Sequence, residues 1–140
     1  MDTESRHLSV HVDRSAAEVY AYASDPARLP EWAAGLGSAV EQIEGRWYVQ
    51  TGMGRIAVDF APPNAYGVLD HEVTLPSGEV VYNPLRVLAD AAGGAGGCEV
   101  VFTLRRQTGL SDEEYERDTA AVTADLVRLK GLMEGGGSAV

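Results

Sequence analysis

The chain of 140 residues has room for one domain, and its 45% hydrophobic content suits a packed globule rather than a disordered segment. Lys and Arg number 11 against 21 Asp and Glu, a formal net charge of −10. A field of that sign repels phosphate backbones and anionic bilayer surfaces, which argues against nucleic acid as a general partner. The lone cysteine, Cys98, excludes a disulfide within these residues. No window nears the roughly 20 apolar residues that span a bilayer, and the charged, alternating start lacks a signal-peptide h-region, so the expected setting is cytoplasmic without membrane insertion.

Residues 7–13, "HLSVHVD", alternate, with Leu8, Val10 and Val12 on one face and His7, Ser9, His11 and Asp13 on the other. That pattern predicts a first strand with one wet face. In "SAAEVYAYAS" Ser15 and Glu18 stand three apart, the spacing of a capping box, and open a short helix. Asp25-Pro26 offers a second start, Asp25 as N-cap and Pro26 at N1. Pro30 keeps that helix short and Trp32 docks it, so 15–35 reads as two short helices meeting at a bend.

From residue 38 to 107 the period becomes two. "SAVEQIE", "RWYVQT", "GRIAVDFA", "GVLDHEVTL", "EVVYNPLRVLA" and "GCEVVFTLRRQ" predict six further strands, separated by turn residues rich in Gly and Pro. Links this short favour antiparallel neighbours. Pro84 lacks a backbone donor and predicts a bulge, bend or edge in its strand. Residues 111–134 then open with a second capping box, Ser111 and Glu114, and carry Tyr115, Thr119, Val122, Leu126, Leu129 and Met133 on one helical face. The triple glycine 135–137 ends this helix and leaves a loose tail to 140.

The predicted class is α+β: a curved seven-stranded antiparallel sheet around the long C-terminal helix, with two short helices after the first strand. A sheet bent around a helix need not touch it everywhere, so a cavity can remain between them. The element order, "SAAEVYAYASDPARLPEWA" after the first strand, and "LVRLKGLME" near the end resemble the START-like (SRPBCC) helix-grip superfamily. Within it the chain is similar to the bacterial polyketide cyclase/dehydrase-like group. "GVLDHEV", "VYNPLRV", "EVVFTLRR" and "GLSDEEYERD" resemble one uncharacterised branch. The resemblance spans residues 7–134 and implies a single START-like domain with a hydrophobic cavity for lipid-, polyketide- or aromatic-like molecules. It transfers no catalytic constellation position by position.

His71 shares the parity of Leu69 and Val73, which points it inward and turns Asp70 and Glu72 to solvent. Three roles are open to it: a core histidine with both nitrogens bonded, a ligand contact, or an acid–base group. Asp59 alternates against Ile56, Val58 and Phe60 and faces outward, unless a register shift brings it into the cavity. In the strand around Pro84, Val81, Asn83, Leu85 and Val87 take the interior parity and Arg86 the exterior, unless a bulge swaps the second half. The residues expected at a ligand are Trp32, Trp47, Asp59, Leu69, His71, Asn83, Phe102, Val122 and Leu126.

Cys98 reads as a small buried hydrophobe. His7 and His11 lie four apart on a wet face with nothing to close a metal site, and no glycine-rich phosphate loop precedes a helix, so neither metal nor cofactor is expected. Three functions stay open. The first is binding of a small hydrophobic ligand. The second is a cofactor-free cyclase, dehydratase or isomerase, with His71 moving a proton and Tyr82, Asn83 or Arg86 holding an oxyanion. The third is a protein-interaction module, using the acidic helix start or a homodimer surface.

Overall fold

A computed structural model describes residues 4–33, 39–52 and 54–135. The last residues of the expected 15–35 helical stretch, the first residue of the strand expected from 38, Met53 in its turn and the tail beyond 135 lie outside the described residues. In chain order the elements are strand β1 (Ser5–Val12), helix α1 (Ala16–Ala23), a 3-10 turn (Pro26–Arg28) and helix α2 (Leu29–Trp32). Strands β2 (Ala39–Ile43), β3 (Arg46–Thr51), β4 (Gly54–Phe60), β5 (His71–Thr74), β6 (Val80–Asn83), β7 (Leu85–Ala89) and β8 (Cys98–Arg105) follow, and helix α3 (Asp112–Gly135) ends the series. Both capping boxes form: Ser15 Oγ accepts from Glu18 N–H at 3.2 Å, and Ser111 Oγ from Glu114 N–H at 3.1 Å. The Asp25 carboxylate accepts from Ala27 N–H at 3.1 Å and caps the 3-10 turn.

Among the described residues the sheet carries eight strands where seven were expected, and it is divided. One part orders β2-β3-β4-β5-β6 and the other β1-β8-β7, all antiparallel. Pro84 causes the division. Without an N–H it cannot continue the ladder, so the predicted 79–89 strand becomes β6, paired with β5, and β7, paired with β8. Residues 67–70 likewise leave the β5 ladder and run beside β7. Leu69 N–H donates to Leu85 O and Val87 N–H to Gly67 O, each at 2.8 Å. Gly67 is required there: its φ is +73°, and a Cβ would sit 2.1 Å from the Val87 carbonyl oxygen. The side-chain alternation nonetheless survives the division, with Leu85 and Val87 buried and Arg86 outside.

The three-stranded part packs tightly. Val12, Leu85, Val87, Cys98 and Val100 join Val19 and Ala23 of α1 and Leu126, Leu129 and Met133 of α3 in one core. Charged anchors hold α3 alongside β1. Lys130 Nζ donates to His11 O at 2.6 Å, and Arg6 reaches Thr119 Oγ1 at 3.1 Å and Glu116 at 2.7 Å. Tyr115, 1% exposed, donates its hydroxyl to Leu104 O at 3.1 Å. Removing that hydroxyl in Tyr115→Phe is expected to cost about 1 kcal/mol, the usual worth of one buried hydrogen bond, read as a shift in the urea midpoint. No helix among the described residues is long and apolar enough to cross a membrane.

Candidate functional site

The five-stranded part has no such close cover. Its inner face is apolar by alternation: Ile56, Val58 and Phe60 on β4, Val73 on β5 and Val81 on β6 all point the same way. Helix α3 crosses above it, presenting Val122 and Leu126, while Leu29 and Trp32 of α2 close one side. Between them lies a cavity of about 390 Å³, within the size range of small-molecule sites. Phe102 and Leu104 of β8 complete its apolar wall, and the exposed Arg105 and Gln107 stand at the rim.

Three expected strand positions meet in one row across this wall. Phe60 is the register partner of His71, and His71 the partner of Asn83. Directly opposed residues on one sheet face carry Cβ atoms about 5 Å apart. The His71 ring packs between Phe60 and Phe102, with centroids at 5.2 and 6.1 Å. Its Nδ1 lies 3.0 Å from Leu69 O. A carbonyl only accepts, so Nδ1 carries the proton and Nε2 keeps its lone pair. Nε2 has no partner among the described residues, and His71 is 7% exposed on the cavity side. Burial pushes its pKa below the ordinary histidine value. His71 is therefore expected to stay neutral as the Nδ1–H tautomer at neutral pH. Nitrogen-15 shifts of the imidazole test this, and an Nε2–H tautomer would contradict the assignment.

The site differs from expectation at several residues. Asp70 does point away from His71, but it is 5% exposed rather than solvated. Its carboxylate fills the break at Pro84. Oδ1 accepts from Leu85 N–H at 2.9 Å and Arg86 Nε–H at 2.8 Å, and Oδ2 accepts from Arg86 Nη2 at 2.7 Å and the Tyr82 hydroxyl at 2.5 Å. The Arg86 guanidinium holds this carboxyl well below the usual carboxylate range. Arg86 and Tyr82 thus stand on the outer face, engaged with Asp70, and neither can hold an oxyanion in the cavity. Asp59 is also outside, ion-paired with Arg46 at 2.8 Å, because β4 keeps its register through residue 60.

Trp47 lines a separate recess of about 340 Å³ with Tyr20 and Pro62. Leu69, 1% exposed, belongs to the packed core. Trp32, His71, Asn83, Phe102, Val122 and Leu126 do come together around the main cavity. Cys98 is buried and free, and burial raises its thiol pKa. His7 lies 3.0 Å from Thr103 Oγ1, and His11 Nε2 2.8 Å from Asp90.

Two acidic lining residues went unnoticed in the sequence. Asp118 and Asp125 of α3 face the cavity, and burial raises the Asp118 carboxyl. The signal was present: 118, 122 and 125 are spaced 4 and 3 apart, so both carboxylates flank Val122 on one helical face. The unbonded indole N–H of Trp32 was not legible in the sequence at all.

No family model and no curated protein matches the chain. Solved structures do. Truncated norcoclaurine synthase from Thalictrum flavum superposes with a TM-score of 0.64 at 13% identity, over 94% of this chain and 93% of that one. A Deinococcus radiodurans protein gives 0.64 at 22% identity, over 95% and 99%. A Nitrosospira multiformis protein gives 0.71 at 15% identity, over 96% and 99%. At such identities the likeness is one of fold, and it extends over nearly the whole of each chain. With its antiparallel strands gripping one long C-terminal helix, the chain has a helix-grip fold, and it shares that fold with these structures.

Proposed function

We propose that this protein binds a small hydrophobic molecule in the cavity between the five-stranded sheet and α3. The observation that carries the reading is the lining itself. Phe60, Val73, Phe102, Val122 and Leu126 line about 390 Å³, with His71 and Asn83 side by side on the sheet wall and Thr51 and Arg105 as its other polar lining residues. Concave apolar sites with few convergent polar groups are the usual form of small-molecule sites. Lipid-, polyketide- and aromatic-like molecules all meet that description. Native mass spectrometry of freshly purified protein tests it. A retained species a few hundred daltons above the apo chain is expected, or uptake of an added aromatic probe. A chain that takes up neither would overturn the reading, and the same spectrum reports whether a homodimer forms.

One observation favours a second reading, a cofactor-free cyclase, dehydratase or isomerase. With Nδ1 pinned to Leu69 O, the His71 Nε2 lone pair can take a proton from a guest in the cavity and return it at another atom. Of the three oxyanion candidates, Asn83 is the one that lines the cavity and can donate to developing negative charge, since Tyr82 and Arg86 lie outside. A retained molecule released chemically changed by wild type but unchanged by His71→Gln supports catalysis. Identical release from both supports binding alone.

A further inference from the structure

Three side chains that line the cavity beneath α3 carry polar atoms with no protein partner among the described residues. Trp32, 5% exposed, has an Nε1–H that is buried and makes no hydrogen bond among the described residues. His71 commits Nδ1 to Leu69 O and leaves Nε2 open. The Asn83 carboxamide likewise has no partner among the described residues. Unpaired polar groups in low-dielectric surroundings raise the free energy of the empty protein. A guest that pairs them recovers that cost, and one that cannot pair them adds to it. His71 and Asn83 are direct register partners on one sheet face, so a single guest atom can meet both.

The type of partner follows from donor and acceptor roles. Nε2 is an acceptor and needs a proton from the guest, while the Asn83 amide supplies N–H donors. A hydroxyl satisfies both sides at once. Charge argues the same way. Asp125 of α3 is ion-paired with Arg128 at 3.1 Å, and the other charged lining groups are Asp118 and, at the rim of β8, Arg105, so the lining offers a carboxylate headgroup no excess of positive charge to offset its desolvation. Burial also keeps His71 from supplying a cation.

From the ligand-binding reading above, on which this rests, we infer that the guest is an uncharged molecule with an apolar body and a hydroxyl group, whose O–H donates to His71 Nε2 and whose oxygen accepts from the Asn83 amide. Fatty acids and other carboxylates are the poorer guests, and ethers of the same body lose the donated bond.

Four naphthalenes of similar size separate these cases by fluorescence titration: 2-naphthol, 2-methoxynaphthalene, naphthalene and 2-naphthoate. 2-Naphthol is expected to bind about tenfold more tightly than the ether and the hydrocarbon, the fold-change of one buried hydrogen bond whose protein partner is otherwise unmade. 2-Naphthoate is expected to bind more weakly than 2-naphthol. In His71→Phe the advantage of naphthol over naphthalene should fall to near unity while naphthalene still binds, and Asn83→Leu should reduce it. Equal binding of naphthol and its ether to wild type, or tighter binding of naphthoate, would overturn the hydroxyl assignment and leave the cavity reading standing. If none of the four binds, both fall. The wild-type comparison decides the matter even where a variant fails to fold.

Discussion

Asp70→Asn is expected to lower stability by about 2–3 kcal/mol and the melting temperature by roughly 10 °C. The carboxylate accepts from the Leu85 amide, twice from Arg86 and from Tyr82. It thereby satisfies a backbone donor that the break at Pro84 leaves without a ladder partner. An asparagine keeps one acceptor oxygen but turns an NH2 group toward remaining donors, so at least two charge-assisted bonds are lost. Arg86→Ala and Tyr82→Phe should each cost less, about 1 kcal/mol. Arg86 has a side chain 47% exposed, and either change leaves Asp70 bonded to Leu85.

The pH dependence has a defined sign. The folded pKa of Asp70 is depressed below its unfolded value of about 3.9. Its contribution is therefore fully present above that value and is lost as pH falls through the folded pKa. Wild type should lose stability faster than Asp70→Asn on acidification below about pH 4. Urea midpoints measured across that range check this. A variant within 0.5 kcal/mol of wild type at neutral pH would show that Asp70 is not the joint between the two sheet parts.

Val122→Trp is expected to reduce 2-naphthol binding by 100-fold or more while changing stability by about 1 kcal/mol or less. Val122 is half-buried and projects from α3 into the cavity, so the indole fills space that holds no protein atoms. Gain of buried area and local overpacking oppose one another. Leu129→Ala is the matched contrast. Leu129 is 0% exposed in the packed core beside β1 and does not line the cavity. It should cost about 3 kcal/mol and leave naphthol affinity nearly unchanged. Titration and chemical denaturation of both variants give the pattern. Unimpaired binding in Val122→Trp would place the guest elsewhere.

The element series was largely legible because the local signals agreed with the tertiary outcome. Ser15, Asp25 and Ser111 cap the elements whose starts they predict, and the alternation from Ala39 to Arg105 survives in the observed registers. The inward face of His71, Asn83 and Phe102 followed from period two alone. What period two cannot express is a strand that changes partners. "GVLDHEVTL" looks continuous, yet 67–70 runs with β7 and 71–74 with β4 and β6. That exchange, forced by Pro84 sixteen residues after Val68 in the chain, buries Asp70 and draws Arg86 and Tyr82 to it. Non-local partners of this kind leave no mark in a local pattern. Trp32 shows the other limit: its burial followed from the short helix, but whether its N–H finds a partner depends on atoms from distant elements.

The central claim is that a guest sits between α3 and the inner face of the five-stranded sheet. Intermolecular nuclear Overhauser effects between 2-naphthol and methyl-labelled protein test it most directly. Contacts from the guest to methyls of Ile56, Val73, Val122 and Leu126 are predicted, with none to Val19 or Leu129. Contacts confined to the outer face, or absent from Val122 and Leu126 at saturating probe, would contradict it.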